Sequence, residues 1–293
     1  MSFRRFFLLL SSLSLPLTAA LINPSSISTA RTGDDLFNGL QILDSRSGKV
    51  AITISPLSSP PAPDTVRLDI SLPGWGSGVH PTTFLCLQYL SDLAGSSIQS
   101  PRRVTDYGSG SGVLSVAAAR LFGPSTKVTS VDIEAEALEA TRANWELNFP
   151  SGTDEGCDLE TYHTREVIPS WPISDQDLVL ANILIGALVR PSMIAVLVNA
   201  LKAPDAEGEG GGIICFSGIL PNERESLMRA YEKYLCFDDD ASYGELSGTD
   251  KVGSTDSTFN DINGFDVRSW CRVVGRRSCG SDFVGDMSEM AVS

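Results

Sequence analysis

A glycine-rich run that joins a strand-like segment to a helix-like segment constrains the fold of this chain more than any other feature. Residues 106–112 read DYGSGSG, between strand-like residues 103–105 and helix-like residues 113–119. A strand, a glycine turn and a helix in this order let the backbone approach a nucleotide-like ligand closely. A second strand-like segment ends at Asp132, about 20 residues after the glycines, where a carboxylate accepts hydrogen bonds from ribose hydroxyls. The run therefore predicts an α/β fold with a ligand site at the turn.

The spacing of the glycines distinguishes between ligands. The dinucleotide fingerprint G-x-G-x-x-G, counted from Gly108, requires a third glycine where this chain has Val113. A dinucleotide pyrophosphate needs the helix N-terminus, whereas S-adenosylmethionine has no phosphate and needs close backbone contact and an acid for its ribose. The pattern favours S-adenosylmethionine. The alternative is an ordinary strand-to-helix turn, because Gly-Ser repeats are common in loops.

Apolar and amphipathic segments alternate along the rest of the chain. Strands that alternate with helices predict an α/β fold, with a central, mostly parallel sheet and helices on both faces. Two polar stretches, 151–158 and 238–263, interrupt the pattern, and the second is predicted to be a long, mobile acidic loop. The pattern predicts helices over 84–90, 135–148, 191–201 and 222–234, and strands over 49–54, 66–70, 177–184, 211–218 and 269–277.

The first 30 residues have the features of a targeting segment. Arg4 and Arg5 precede an apolar run over residues 6–20, and no acid occurs before Asp34. This run is about 15 residues long, which is too short for a stable membrane span. A signal peptide, an organellar presequence and a bipartite plastid address all fit the pattern. We expect this segment to be cleaved and to direct the protein to a mitochondrion or a plastid.

The rest of the chain is predicted to consist of three parts. Residues 31–65 form a short N-terminal segment that ends in a Pro-rich linker. Residues 66–277 form the main domain, which contains the polar insertion 238–263. Residues 278–293 form a flexible tail. The main domain has the size expected of a single hydrophobic core.

Charge and cysteine content exclude some classes of function. The net charge of −14 disfavours direct binding to nucleic acid, which needs a basic face. An acidic surface suits a basic protein substrate, although most of these charges are expected to be a solvated surface. The six cysteines form no C-x-x-C pair and only two histidines are present, so we expect neither a metal site nor a disulfide framework.

Five separated regions of the sequence carry a resemblance to a known family. The glycine turn and its following acid are generic to class I methyltransferases, whereas the His-Pro-Thr-Thr, Ala-Asn-Ile-Leu and Trp-Cys-Arg sequences are more specific. On these sequences, the chain resembles the bacterial ribosomal protein L11 methyltransferases over about residues 64–277. The regions are 76–83 (GSGVHPTT), 106–112, 131–133 (VDI), 181–184 (ANIL), and 217–220 (SGIL) together with 270–276 (WCRVVGR).

The resemblance implies a Rossmann-like class I methyltransferase fold and a role for particular residues. Thr83, Gly108, Asp132 and Asn182 match the cofactor-contacting positions of the family, and Gly110 of the same turn is added to that set. Asn182 would lie where cofactor and incoming amine meet, which makes it the candidate catalytic residue. Each has a structural alternative: Thr83 and Asp132 could cap helices, and Asn182 could be a turn residue. His80 is expected to be structural rather than a base.

The predicted function is an S-adenosylmethionine-dependent protein methyltransferase that acts on a lysine or an N-terminal amine. The substrate is expected to be a ribosomal protein or another basic protein, without direct nucleic-acid binding or a stable membrane span; the oligomeric state stays open. The family also carries an N-terminal domain that presents the substrate, and in residues 31–65 it is predicted to be missing or eroded. Two alternatives remain: an enzyme of the electron transfer flavoprotein β-subunit lysine methyltransferase type, and a non-catalytic cofactor-binding assembly factor.

Overall fold

The computed structural model describes residues 40–43, 49–56, 62, 64–69, 71–72, 80–150, 157–164, 173–243 and 270–278. All of them belong to one unit of the chain, Leu36–Ser293, and the first unit, Met1–Asp35, lies outside the described residues. The strands are β1 (Leu40–Leu43), β2 (Val50–Pro56), β3 (Thr65–Leu68), β4 (Arg103–Tyr107), β5 (Lys127–Asp132), β6 (Asp158–His163), β7 (Leu178–Asn182), β8 (Ile213–Ile219), β9 (Leu235–Tyr243) and β10 (Cys271–Arg277). The α-helices are α1 (Pro81–Ala94), α2 (Val113–Phe122), α3 (Ala135–Asn148), α4 (Ile185–Leu188), α5 (Pro191–Ala200) and α6 (Arg224–Tyr231).

A seven-stranded sheet in the order β6-β5-β4-β7-β8-β10-β9 is the centre of the fold. Neighbouring strands are parallel from β6 to β8, and β10 is antiparallel to both β8 and β9. Strand β7 reads LVLAN and is buried along almost its whole length, as expected of a strand covered on both faces. This topology confirms the predicted α/β class with a mostly parallel sheet.

Alternate residues of the central strands enter two separate cores. Leu178 and Leu180 join a core that contains the apolar residues of α1 and α2, whereas Val179 and Ala181 join a core with residues of α5 and α6. Side chains of a strand point to opposite faces with a period of two, so each core covers one face of the sheet. The helices therefore lie on both faces, as the alternation of segments predicted.

A three-stranded sheet, β1-β2-β3, packs on the first of these cores. Its inward side chains are fully buried among residues of α1 and α2, and they are Ile42, Ile52, Ile54, Val66 and Leu68. Strands β2 and β3 lie close to the predicted segments 49–54 and 66–70, and β1 was not predicted. The division of the chain at residue 66 and the loss of a substrate-presenting domain stay predictions.

Two asparagines of α3 bind the backbone of β3 and the residue that follows it. The Asn148 side chain accepts from the Arg67 amide at 2.9 Å and donates to the Arg67 carbonyl at 2.8 Å, as a neighbouring strand would. The Asn144 Oδ1 accepts from the Asp69 amide at 2.7 Å, and its Nδ2 donates to the Ser111 carbonyl at 2.9 Å. Buried Asn144 thus connects the small sheet to the glycine turn.

Strands β6 and β9 were missed by the sequence analysis. The predicted loop over 238–263 is wrong at its start, since residues 238–243 belong to β9; the remainder lies outside the described residues. Backbone pairing with β10, for example Asp238 with Val274, overrides the low strand propensity of three consecutive aspartates. Strand β6 is an edge strand with partly exposed, polar residues, so its sequence lacks an apolar run. Among the described residues, no helix has the length and apolar character needed to cross a bilayer.

Candidate active site

The glycine turn after β4 has a backbone that only glycine adopts readily. Gly108, Gly110 and Gly112 have φ values of 83°, 55° and 79°. A Cβ on Gly108 would lie 2.4 Å from the Cγ2 atom of Ile183, so this position also excludes a side chain sterically. The Gly108 amide donates to the Val131 carbonyl at 2.7 Å. The turn is therefore held against the end of β5 and lies close to the residues that follow β7.

Asp132 ends β5 and binds the same turn. Its Oδ2 accepts from the Gly110 amide at 2.9 Å, and its Oδ1 accepts from the Glu134 amide at 3.0 Å. The helix-cap alternative for Asp132 is not what the structure shows, because Glu134 occupies the N-cap of α3. A carboxylate has about four acceptor sites, so Asp132 keeps capacity for further hydrogen bonds. Two of the predicted cofactor-binding residues, Gly110 and Asp132, are therefore in direct contact.

Asn182 and Thr83 form the second pair of predicted residues in contact. The Asn182 Nδ2 donates to the Thr83 Oγ1 at 3.4 Å, across a separation of 99 residues in the sequence. Thr83 is buried and Asn182 is half-buried at the end of β7. With Nδ2 directed to Thr83, the Asn182 Oδ1 lies on the other side of the amide, towards Gly218. The pair thus presents an oriented acceptor at the carboxyl edge of the sheet.

His80, and not Thr83, is the N-cap of α1. Its Nδ1 accepts from the Thr82 amide at 3.3 Å, and its ring packs edge-on against Trp270 with 5.0 Å between the centroids. Burial lowers the pKa of His80, which favours the neutral ring that a cap acceptor requires. The interpretation of His80 as structural fits these contacts.

Asp106 is a further member of the site to which the sequence analysis gave no role. Its Oδ2 accepts from the Ser115 amide at 3.1 Å and from the Ser115 hydroxyl at 2.6 Å. Because Ser115 is the third residue of α2, the carboxylate satisfies one of the free amides at the start of that helix. Burial raises the pKa of Asp106 to about 6, Asp132 adds to the rise, and the hydrogen bonds from Ser115 oppose it. The sequence placed an acid directly before the glycine turn, but it did not show the contact with Ser115 that defines its role.

These residues converge at one edge of the sheet. The carboxyl ends of β5, β4 and β7, which are neighbours in that order, carry Asp132, the glycine turn and Asn182. Ligands of open α/β sheets bind in the crevice outside such strand ends. Exposed apolar side chains lie at the same edge, namely Ile133, Leu184 and Leu220 after β5, β7 and β8. In the part of the chain that the structure describes, no group of three or more His, Cys, Asp or Glu residues is arranged to hold a metal ion.

The residues present fit S-adenosylmethionine. A carboxylate with spare acceptor sites suits the two ribose hydroxyls, and a turn with glycine at positions 108, 110 and 112 suits close backbone contact with the methionine part. This fold and this site define a class I S-adenosylmethionine-dependent methyltransferase. A family model described as ribosomal protein L11 methyltransferase (PrmA) matches residues 46–245, and the chain belongs to that family.

Individual relatives agree with this membership. The chain is 39% identical over 183 residues to the ribosomal protein L11 methyltransferase of Teredinibacter turnerae, covering 60% of this chain and 51% of that protein. It is 36% identical over 189 residues to the protein of the same description from Cellvibrio japonicus, covering 64% and 56% of the two chains. The chain thus spans about half the length of the curated relatives it matches. This match does not favour the electron transfer flavoprotein β-subunit type or the assembly factor.

The fold also matches that of a solved structure. The crystal structure of ribosomal protein L11 methylase from Lactobacillus delbrueckii subsp. bulgaricus superposes with a TM-score of 0.51 at 21% identity. The match covers 81% of this chain and 99% of that one. At this identity the likeness establishes the fold alone.

The predicted organellar destination is wrong. The relatives that match this chain are bacterial ribosomal protein L11 methyltransferases, which contradicts a mitochondrial or plastid address. Paired arginines before an apolar run occur in several kinds of leader sequence, so this pattern could not specify that destination. Residues 1–30 themselves lie outside the described residues.

Proposed function

We propose that this chain transfers a methyl group from S-adenosylmethionine to an amine of a protein, and that the protein is ribosomal protein L11. The observation that carries the proposal is the contact of Asn182 with Thr83 beside the glycine turn and Asp132, in a chain of this family. When bound, S-adenosylmethionine supplies a methyl group on a sulfonium that is already activated for displacement.

The residues proposed to hold the cofactor act through different atoms. The Asp132 carboxylate would accept from the ribose hydroxyls while it keeps the Gly110 amide bound. The Gly108 backbone would lie against the methionine part, in a turn whose positive φ and close packing on Ile183 both require glycine at this position. Thr83 would contact the cofactor from the first turn of α1.

Asn182 is proposed to orient the attacking amine. Its Oδ1 and the carbonyl oxygen of Ile183 both lie beside Gly218, so two acceptors are close together at this strand end. An amine that donates to two acceptors keeps its lone pair directed at a third position, where the methyl carbon would be. Such alignment contributes up to about 7–11 kcal/mol to catalysis.

The amine must be neutral to attack, so the proton of its ammonium form first passes to water. Its nitrogen would then bond to the methyl carbon as the carbon–sulfur bond breaks, with S-adenosylhomocysteine as the leaving group. A lysine has a pKa of about 10.4 in water, and desolvation in a narrow site lowers it. The sequence identifies no dedicated general base, so the chain's contribution is desolvation and orientation. A lysine side chain or an N-terminal amine meets these requirements, and the net charge of −14 suits a basic substrate.

Labelling tests the proposal directly. The full chain is incubated with labelled S-adenosylmethionine and purified ribosomal protein L11, and mass spectrometry locates the methyl groups. We expect label on lysine or on the N-terminal amine, and its loss with Asn182→Ala. Label on another protein of a bacterial lysate but not on L11 would refute the substrate, and cofactor binding without label on any protein would refute the activity.

A further inference from the structure

The end of β8 contacts Asn182 and Thr82, the residue that precedes Thr83. Ser217 and Gly218 begin a segment that the sequence analysis singled out without giving it a role, and Ser217 lies opposite Asn182 in the pairing of β8 with β7. We propose that Ser217 and Gly218 are positioning residues that set the place of Thr83 and of the two acceptor oxygens in methyl transfer. This inference rests on the proposed function.

Gly218 lies directly against the two acceptors. A Cβ on Gly218 would lie 2.8 Å from the Ile183 carbonyl oxygen, 3.1 Å from the Ile183 carbonyl carbon and 3.2 Å from the Asn182 Oδ1. The nearest of these atoms belong to the backbone, which cannot rotate away as a flexible side chain does. Any side chain at this position therefore displaces both oxygens by a few tenths of an ångström.

Ser217 binds the backbone next to Thr83, the other member of the pair. Its buried hydroxyl lies 3.1 Å from the Thr82 carbonyl and 3.4 Å from the Cys271 carbonyl, and it donates to the nearer. Thr82 precedes Thr83 in the first turn of α1. From β10, the Arg272 Nη1 donates to the Leu85 carbonyl of the same turn at 2.7 Å. The start of α1 is thereby tied to the sheet at the strand that also contacts Asn182.

The contacts close a ring around the proposed amine position. Ser217 holds Thr82, Thr83 accepts from Asn182, and the Asn182–Ile183 segment packs on Gly218. The residues proposed to bind the cofactor ribose and methionine part are outside this ring, since Asp132 ends β5 and Gly108 follows β4. Thr83 is the ring residue that is also proposed to contact the cofactor. A shift in this ring therefore disturbs the alignment of the amine more than the binding of the cofactor, so turnover falls before affinity does.

The test compares two glycines with similar positive φ values. Gly218 has φ +81° and Gly123 has φ +87°, but a Cβ on Gly123 meets no atom within 4 Å. Gly218→Ala and Gly123→Ala therefore share the strain of a positive φ and differ in the contact. For both variants, kcat and KM are measured with the protein substrate that the labelling experiment identifies. Calorimetry gives the affinity for S-adenosylmethionine, and the melting temperature reports on folding.

We expect Gly218→Ala to lower kcat about tenfold or more relative to Gly123→Ala, with cofactor affinity within about twofold, because a misplacement of 1 Å costs about 100-fold. Equal kcat in the two variants, or a loss of kcat in proportion to cofactor affinity, overturns the inference. A wild-type chain that labels no protein overturns the proposed function and this inference with it. If the wild type labels its substrate but Gly218→Ala and Gly123→Ala have equal kcat, only this inference is overturned and the proposed function stands.

If Gly218→Ala does not fold, Ser217→Ala tests the same proposal. Its matched control is Ser96→Ala, since the Ser96 hydroxyl donates to the Leu93 carbonyl at the opposite end of α1 at 2.7 Å. We expect Ser217→Ala to lower kcat several-fold at unchanged cofactor affinity, and Ser96→Ala to leave kcat unchanged. Equal kcat in these two variants overturns the role of Ser217.

Discussion

Replacing Asp106 by asparagine should change the pH dependence of stability in a defined direction. The carboxyl is buried next to the glycine turn, and burial raises its pKa from 3.8 to about 6. In Asp106→Asn the amide oxygen can still accept from the amide and hydroxyl of Ser115. The substitution therefore removes the titration and keeps the helix contact.

The sign of the effect follows from the raised pKa. A carboxyl whose folded pKa exceeds its unfolded value contributes stability that is fully present below about pH 4 and is lost as the pH rises through about 6. A tenfold change in proton affinity corresponds to about 1.36 kcal/mol, so the whole contribution is about 3 kcal/mol. About 1 kcal/mol of this contribution is lost between about pH 5 and pH 8, a range that avoids the pI of about 4.5.

Urea unfolding of the wild type and Asp106→Asn across this range measures the effect. As the pH rises, the unfolding free energy of the wild type should fall by about 1 kcal/mol relative to that of Asp106→Asn. Glu225→Gln is the control for removal of a negative charge, because Glu225 lies in an exposed pair with Arg229. A difference between wild type and Asp106→Asn that stays constant with pH would refute a raised pKa at Asp106.

Three further substitutions test the site and its support. Asp132→Ala should weaken S-adenosylmethionine binding by about 1.5–3 kcal/mol, the worth of hydrogen bonds to a charged group, and calorimetry on the folded variant measures it. Asn182→Ala should lower kcat more than cofactor affinity, because its acceptor acts on the amine; steady-state kinetics and calorimetry separate the two. Asn148→Ala should lower the free energy of unfolding by about 2–4 kcal/mol in urea titrations, because the Arg67 amide and carbonyl lose their partner.

Each of these has an outcome that contradicts it. Unchanged affinity in Asp132→Ala would remove Asp132 from the ribose site. Proportional loss of affinity and rate in Asn182→Ala would leave Asn182 with a cofactor-holding role alone. The control for Asn148→Ala is Asn222→Ala, because Asn222 is exposed. A similar loss of unfolding free energy in both variants would show that the contact of Asn148 with β3 contributes nothing specific.

The parts of the site that were predictable are those encoded by short, local sequence. The glycine turn and Asp132 lie at fixed distances along one strand-turn-helix-strand unit, so their spacing carries the information. Thr83 and Asn182 were assigned to the site by resemblance alone, and their contact across 99 residues was not predicted because nothing in either segment specifies it. Their roles in binding and catalysis remain predictions.

The parts that were missed depend on tertiary contacts. Strands β6 and β9 form the two edges of the large sheet, where one side of the strand faces solvent or non-core residues and polar residues are tolerated. Strand β1 has four residues, too few for a periodic pattern. The role of Asp106 depends on Ser115 reaching back across the turn, which is visible only in three dimensions.

The asparagines of α3 have a consequence for self-association. An unpaired strand edge is a template on which a strand of another molecule can grow, through domain swapping or cross-β aggregation. At β3 the backbone groups that a new strand would bind are already hydrogen-bonded. Asn148 binds the amide and the carbonyl of Arg67, and Asn144 binds the amide of Asp69, two residues further along the same edge. A partner that binds this protein by adding a strand therefore cannot do so at β3 without first displacing the helix that supports the glycine turn.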